Sequence, residues 1–373
     1  MPQPKRYDAL DGMRGVAAIC VMVMHASGAL GNSIIAVDLF FILSGFVIAH
    51  SYGGRVDMGL GKFMRRRLIR LYPMFLLGMA LGWLSLAVAH HLGTTSISGR
   101  EIAASVLTNA LYLPYVAQQA IVPNLPIFPA NPPAWSLFFE LVANLFFLPL
   151  MISSRRFKIL FVTSSFAMII VIGVLTALGQ GRIGIATNAG WDPQNVIGGL
   201  PRVFYGFGCG VLLYVFTQSG AFDGLRRIGE AISGKTWLLF LFVISIFAIV
   251  PPHGVGALYY LFAIGALCTC GIIFGSQLDP AGGVELAVCK FLGWLSYPIY
   301  CLHYPIVVLT QAFYSRVHGL PVPPYATACF LTIGMAILTT KFYEEPVRSW
   351  LARRFLERLP YRALAPVPDP AGA

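Results

Sequence analysis

The chain has 373 residues, of which 57% are hydrophobic and only 11% are charged, and its formal net charge is +11. Soluble globular proteins are about 25% charged, so this composition excludes a soluble enzyme, a disordered protein and, despite the positive charge, a nucleic-acid binder. A polytopic membrane protein with its basic residues at one membrane face accounts for the charge and for the mean hydropathy of +0.74.

Ten stretches are predicted to span the membrane, because a spanning helix needs roughly 20 mainly apolar residues. They are 14–33, 34–51, 73–92, 134–152, 157–179, 197–217, 236–251, 255–276, 291–315 and 324–343. The semi-apolar stretch 101–116 is predicted to be a short interfacial or re-entrant helix. The two longest outer segments are then 93–133, which ends in a Pro-rich run, and 180–196. The sequence therefore predicts an all-α polytopic membrane protein, a bundle of about ten transmembrane helices.

The distribution of Lys and Arg predicts the orientation of this bundle. If the N-terminus is cytoplasmic, the outer segments carry only Arg100, Arg182 and Arg316. The cytoplasmic segments carry Lys5, Arg6, Arg55, Lys62, Arg65, Arg66, Arg67, Arg70, Arg155, Arg156, Lys158, Arg226, Arg227, Lys235, Lys290 and the tail from Lys341 to Arg362. Because cytoplasmic loops are enriched in Lys and Arg, both termini are predicted to be cytoplasmic. Topology and contact with anionic lipids then explain the net charge.

The seven cysteines predict neither a disulfide framework nor a metal site. All but Cys289 lie within apolar runs, and no C-x-x-C pair occurs. Spaced cysteine pairs are the usual signature of zinc sites and redox motifs, so no metal is expected.

Six ionisable residues in the predicted spans are candidates for a buried polar site, since a charge near the bilayer centre costs roughly 2.5–3.5 kcal/mol. They are Arg14, His25, Asp38, Glu140, Arg202 and His303. Arg14 and His25 share one helix face, separated by about 16 Å along the axis. His25, Asp38, Glu140 and Arg202 are each predicted near the outer end of a helix, which favours a buried polar site with a His or carboxylate base. The alternatives are interhelical ion pairs for Asp38 or Glu140 with Arg202, and a packing role for the histidine.

The segment from Lys62 to Pro73 is basic and amphipathic. From its residues alone, a helix on the lipid surface is favoured, because anionic lipid attracts such patterns. The alternative is a phosphate site, since the guanidinium group of Arg matches phosphate oxygens.

Six motifs in order along the chain resemble those of the acyltransferase-3 family of membrane O-acyltransferases. They are R-x10-H from Arg14 to His25, the second-helix motif at 37–46, R-R-x-x-R-x-x-P ending at Pro73, W-S-L-x-x-E from Trp135 to Glu140, the segment 296–305 and Glu344-Glu345-Pro346. Each motif is weak alone, but their order over residues 10–346 makes the resemblance specific. The chain departs from the family at Leu141-Val142-Ala143, where many members carry a second acid, and it lacks the fused extracytoplasmic hydrolase-like domain of some members.

The resemblance implies a transmembrane domain over residues 1–346 and a short basic cytoplasmic tail over 347–373, in a bacterial inner membrane. It implies transfer of an acyl group, usually acetyl, from cytoplasmic acyl-CoA to a hydroxyl of an exported or lipid-linked carbohydrate. Acyl-CoA is then a co-substrate rather than a bound cofactor, and the expected partners are acyl-CoA, a carbohydrate or glycolipid acceptor and membrane lipids. A small molecule such as an antibiotic is an alternative acceptor, and a proton-coupled transporter or flippase is the alternative function.

The resemblance also assigns roles to residues. Acyl-CoA is expected to bind Arg66, Arg67 and Arg70, with Arg14 near the inner mouth of the site. His25 is expected to act as general base or acyl carrier, with Asp38 or Glu140 orienting its imidazole ring. Arg202 or Tyr297 would stabilise the oxyanion. The residues expected to line the same cavity are Trp135, Ser136, Arg202, Tyr297 and His303.

Overall fold

The computed structural model describes residues 6–115, 125–180, 185–225, 229 and 234–356. Within these residues all the regular secondary structure is helical, and there are no strands. We number the helices α1 Asp8–Ser27, α2 Ala36–Tyr52, α3 Leu60–His91, α4 Gly99–Ala110, α5 Ala134–Leu145, α6 Phe147–Ile152, α7 Arg155–Gly179, α8 Gly199–Gln218, α9 Thr236–Ala248, α10 Gly256–Phe262, α11 Cys268–Gln277, α12 Gly283–Tyr314, α13 Pro324–Thr339 and α14 Glu345–Phe355. Several basic residues used above to orient the bundle lie outside this description: Lys5, Arg182, Arg226, Arg227 and those in 357–373.

Eight helical segments of the described residues are long and apolar enough to cross a membrane. They are Asp8–Ser27, Gly31–Tyr52, Leu60–His91, Arg155–Gly179, Val196–Gln218, Gly256–Gln277, Gly283–Tyr314 and Pro324–Phe355. The predicted spans 134–152 and 236–251 correspond instead to shorter apolar helices, α5 with 12 residues and α9 with 13. The short helix predicted over 101–116 is α4, which begins at the capping box formed by Ser98 and Glu101.

Helices α1, α2, α8 and α12 form the core of the bundle. Their spans are 61% to 72% buried, whereas the span Arg155–Gly179 is only 17% buried and presents apolar side chains outward. Glycines allow the core helices to approach closely: a Cβ on Gly210 of α8 would overlap the backbone of Ile42 in α2, and one on Gly15 of α1 would overlap that of Leu292 in α12. Small residues of this kind are typical of helix contacts inside membranes.

The Pro-rich segment 125–133 enters the bundle, although the sequence predicted it in an outer segment. Ile127 and Phe128 are fully buried. The Asn131 side-chain amide donates to the carbonyl of Cys301, 2.8 Å away near the middle of α12. Non-helical backbone at membrane depth is tolerated only where protein surrounds it. Helix α5 therefore begins inside the bundle. Every residue of α5 lies deeper than the sequence predicted for a helix that starts at the outer surface.

Candidate active site

A cavity of about 170 Å³ lies between α1, α2, α3, α5 and α12. Its lining on α2 runs from Val37 to Tyr52, a rise of about 22 Å along the helix axis. We call one end the arginine end, because Arg14, Arg67 and Arg70 line it, and the opposite end the aromatic end, defined by Phe40 and Tyr300. Arg70 is exposed, which places the mouth of the cavity at the arginine end, on the face of the bundle where α1 begins.

The arginine end carries more positive than negative charge. Arg67 is 7% exposed and donates to Oε1 of Glu140 at 2.9 Å, an oxygen that also accepts from the Ser44 hydroxyl at 2.7 Å. Arg14 donates to the Ser296 hydroxyl at 2.8 Å and to a backbone carbonyl of α12. Three guanidinium groups and one carboxylate therefore line the cavity, an arrangement that favours an anionic ligand.

Only two of the three arginines predicted on α3 line this cavity. Arg67 and Arg70 are three residues apart and share a helix face, whereas Arg66 is rotated by about 100° from Arg67 and is not among the lining residues.

Glu140 lies at the arginine end rather than beside His25. Its described partners are Arg67 and Ser44. The sequence placed Glu140 six residues inside a helix that starts at the outer surface. Because segment 125–133 enters the bundle first, α5 starts deeper and delivers the carboxylate to the arginine cluster.

His25 of α1 and His303 of α12 form a hydrogen-bonded pair. His303 Nε2 lies 3.1 Å from His25 Nδ1. His303 Nδ1 lies 3.1 and 2.9 Å from the carbonyl oxygens of Ile299 and Tyr300, which only accept hydrogen bonds, so this nitrogen carries the proton. Nε2 of neutral His303 is then an acceptor, and His25 donates to it through Nδ1–H. The hydrogen-bond partners thus assign to His25 the tautomer with a lone pair on Nε2.

The predicted carboxylate partners of His25 are replaced in this structure by His303 and a backbone carbonyl. His25 Nδ1 lies 3.1 Å from the carbonyl oxygen of Val21, and the Tyr304 ring packs edge-on at 5.5 Å between ring centroids. Among the described residues, neither Asp38 nor Glu140 has a hydrogen bond or ion pair with His25.

Asp38 forms a buried ion pair with Arg202, the alternative left open by the sequence. Arg202 donates to both carboxylate oxygens of Asp38, at 3.1 and 2.8 Å, and the Tyr260 hydroxyl donates to one of them at 3.0 Å. A third donor of Arg202 reaches the carbonyl of Ala189 at 2.6 Å, and Trp135 lies 5.0 Å from its guanidinium carbon. Asp38 is 0% exposed and Arg202 is 1% exposed, so the pair is a closed cluster between α2 and α8.

A family model described as an acyltransferase domain matches residues 7–341. The chain belongs to the acyltransferase-3 family. It is 26% identical to the O-acetyltransferase OatA of Staphylococcus aureus over 93% of this chain and 58% of OatA. It is 25% identical to the acyltransferase MdmB of Streptomyces mycarofaciens over 99% of this chain and 97% of MdmB. Against "Protein 2 in picA locus" of Rhizobium radiobacter the identity is 40%, over 38% of this chain and 80% of that protein.

The chain therefore spans little more than half the length of OatA, at 58%. No solved structure matches it. Its family, together with the eight helices of spanning length in the described residues, indicates a multi-pass membrane protein with an acyltransferase domain.

The remaining predicted lining residues divide into two groups in this acyltransferase. Ser136 and Tyr297 line the cavity, whereas Trp135 and Arg202 do not. His303 lies just beyond the aromatic end, with 5.8 Å between its ring centroid and that of Tyr300. The donors of Arg202 are engaged by Asp38 and Ala189. Tyr297 lines the cavity, but its hydroxyl donates to the carbonyl of Leu71 at 2.6 Å.

Sequence reasoning missed Ser44, Phe40 and Tyr300 as cavity residues. Tyr300 could have been predicted from the sequence, because it precedes His303 by three residues and therefore shares its helix face. Phe40 and Ser44 are four residues apart on α2 and share a face by the same rule. The strongly apolar sequence of α2 gave no indication of which face that is.

Proposed function

We propose that this enzyme transfers an acetyl group from cytoplasmic acetyl-CoA to a hydroxyl of an exported or lipid-linked carbohydrate. The observation that carries the proposal is the convergence of Arg14, Arg67 and Arg70 on the open end of one cavity. Coenzyme A carries three phosphates, and charge-assisted bonds from guanidinium groups to phosphate oxygens are among the strongest hydrogen bonds in proteins. The Lys and Arg distribution predicts that this end faces the cytoplasm, where acyl-CoA is found.

The two ends of the cavity differ, and this difference supports one orientation of the bound donor. A donor held by its phosphates at the arginine end extends its thioester toward the aromatic end. There the Tyr300 ring separates the cavity from His303, at 5.8 Å between centroids. The histidine pair therefore lies beyond the end of the cavity at which the acyl group would arrive.

In the proposed reaction His25 is the general base. Its Nε2 accepts the proton of the acceptor hydroxyl while that oxygen attacks the thioester carbonyl. The C–S bond then breaks, and protonated His25 gives this proton to the leaving coenzyme A thiolate. His303 is a positioning residue, because its Nε2 accepts the bond from His25 Nδ1 and fixes the tautomer. Once His25 is protonated, that bond becomes charge-assisted and stronger. A variant of the same scheme has His25 carry the acyl group before the acceptor arrives.

Donor binding is tested with purified protein in detergent. We expect acetyl-CoA to raise the thermal stability saturably, and Arg67→Gln with Arg70→Gln to weaken that effect. Absence of acetyl-CoA binding together with a proton-linked flux in vesicles would overturn the proposal in favour of a transporter.

The acceptor is tested by mass spectrometry of surface glycans and lipids from cells with and without the protein. Loss of acetyl groups from a glycan supports the proposed acceptor. Unchanged glycans together with loss of an acetylated small molecule would contradict the carbohydrate assignment and identify the alternative acceptor class.

A further inference from the structure

We propose that Phe40 and Tyr300, the aromatic end of the cavity, limit the donor to short, uncharged acyl groups. This inference rests on the proposed function, namely that the cavity holds acyl-CoA with its acyl group away from the arginines. It adds what that function leaves open: which residues set the length and polarity of the transferred group.

The two rings lie in the wall of the cavity at the end opposite the arginines, where Val37 also lines it. Phe40 of α2 and Tyr300 of α12 meet edge to face, with ring centroids 5.5 Å apart and planes at 88°. Both rings line the cavity, whereas neither His25 nor His303 does. An acyl chain that extends from the arginine end therefore meets this pair of rings.

Tyr300 is the hydrogen-bonded member of the pair. It is 5% exposed, and its hydroxyl donates to the carbonyl of Pro133 at 3.1 Å and shares a hydrogen bond with the Ser136 hydroxyl at 2.6 Å. Displacing the ring breaks both bonds in a buried environment, at about 0.5–1.5 kcal/mol each. Phe40 is partly buried and packs against the hydrophobic core through apolar contacts, so the size of its ring sets the space that remains.

The volume and polarity of the cavity limit what fits. An engineered apolar cavity of about 150 Å³ binds one benzene molecule. The cavity of about 170 Å³ must also admit the end of the donor arm, which leaves room for a short acyl group but not a fatty acyl chain. The wall beside Phe40 is apolar, formed by Val37, Phe41 and Leu137. A carboxylated acyl group would be desolvated there without a partner, at a cost of several kcal/mol.

The test compares affinities and turnover for coenzyme A, acetyl-CoA, butyryl-CoA and octanoyl-CoA in Phe40→Ala and wild type. One methylene changes discrimination in an apolar pocket by about 10–200-fold. We therefore expect the butyryl-to-acetyl ratio to rise at least about tenfold in Phe40→Ala. Phe40→Trp should move the ratio in the opposite direction. Affinity ratios serve as the readout for a variant that binds but does not turn over.

Val47→Ala is the matched control. Val47 lies seven residues further along the same face of α2 and lines the cavity toward the arginine end. It removes apolar volume from the wall without extending the aromatic end, so the ratio should stay at the wild-type value. Phe40→Leu replaces Phe40→Ala if the alanine variant does not elute as folded protein on size exclusion, and a smaller rise in the same direction is expected.

The outcomes separate this inference from the proposed function. If wild type binds coenzyme A and uses acetyl-CoA, but the ratio in the Phe40 variants stays within twofold of wild type, the chain-length assignment is overturned and the donor site stands. A change of ratio in Val47→Ala as large as in Phe40→Ala overturns it equally. If wild type does not bind coenzyme A at all, the donor site and this inference fall together.

Discussion

Asp38→Ala should destabilise the protein strongly and leave catalysis per folded molecule nearly unchanged. The substitution removes the carboxylate that accepts from Arg202 at 3.1 and 2.8 Å and from Tyr260 at 3.0 Å. Arg202 would remain a buried cation with a backbone carbonyl and two aromatic rings as its described contacts. Breaking a buried ion pair by removing one partner costs about 3–5 kcal/mol, because the other charge is left uncompensated.

The double variant Asp38→Leu with Arg202→Met separates this cost from loss of packing. Replacing both charges with apolar side chains removes the uncompensated cation, so most of the lost stability should return. The two substitutions should therefore be strongly non-additive. A matched control is Asp11→Ala, because Asp11 pairs with Arg14 at 3.2 Å but its side chain is 32% exposed. Pairs of that kind are worth about 0–1 kcal/mol.

The assay is thermal unfolding followed by size exclusion in detergent, with acyl transfer measured per folded molecule. The expected order of stability is wild type, the Asp11 control and the double variant close together, with Asp38→Ala well below them. The reasoning fails if Asp38→Ala keeps its stability within about 1 kcal/mol of wild type and loses turnover per folded molecule by 10²-fold or more. That result would restore the catalytic role that the sequence predicted for Asp38.

Three further substitutions, together with one control at Arg66, test the proposed site. His25→Ala should lower turnover by about 10²–10⁴-fold with acyl-CoA affinity retained, and activity within threefold of wild type per folded molecule would exclude the general-base role. His303→Phe removes the hydrogen bond that becomes charge-assisted once His25 is protonated, so turnover should fall by about 10- to 150-fold without a change in acyl-CoA affinity; a rate equal to wild type would contradict the positioning role. Arg70→Gln should weaken acyl-CoA affinity by about 10- to 150-fold, and Arg66→Gln, outside the cavity, should change it little; equal effects on titration calorimetry would return the segment to a lipid-surface role.

Hydropathy predicted the fold class well, because the lipid core excludes polar side chains whatever the tertiary packing is. Eight of the ten predicted stretches contain a helix of spanning length in the described residues. The two that differ, at α5 and α9, are apolar but short. Hydropathy measures apolar content and does not detect where a loop such as 125–133 enters the bundle, because a buried loop is as apolar as a helix.

The helical period predicted relations within one helix, and these are confirmed. Arg14 and His25 were placed on one face of α1, and in the structure both contact α12, through Ser296 and His303. Relations between helices depend on the depth at which each helix starts. For Glu140 that depth was wrong, since α5 starts below the surface, and the carboxylate lies with Arg67 instead of His25. The residue pattern within one helix does not show how deep in the bundle that helix starts.

Under the proposed function, in which donor and acceptor approach from opposite faces, Tyr300 closes the path for water between them. The cavity reaches Tyr300 but includes neither histidine of the pair, so the proposed reaction requires this ring to move before the thioester meets His25. The motion breaks the bonds to Pro133 and Ser136, which together amount to about 1–3 kcal/mol. That is small beside the 8 kcal/mol or more by which enzymes typically lower a barrier. In the proposed reaction Phe40 and Tyr300 therefore limit the acyl group while the donor binds, and the Tyr300 ring moves only for the transfer step.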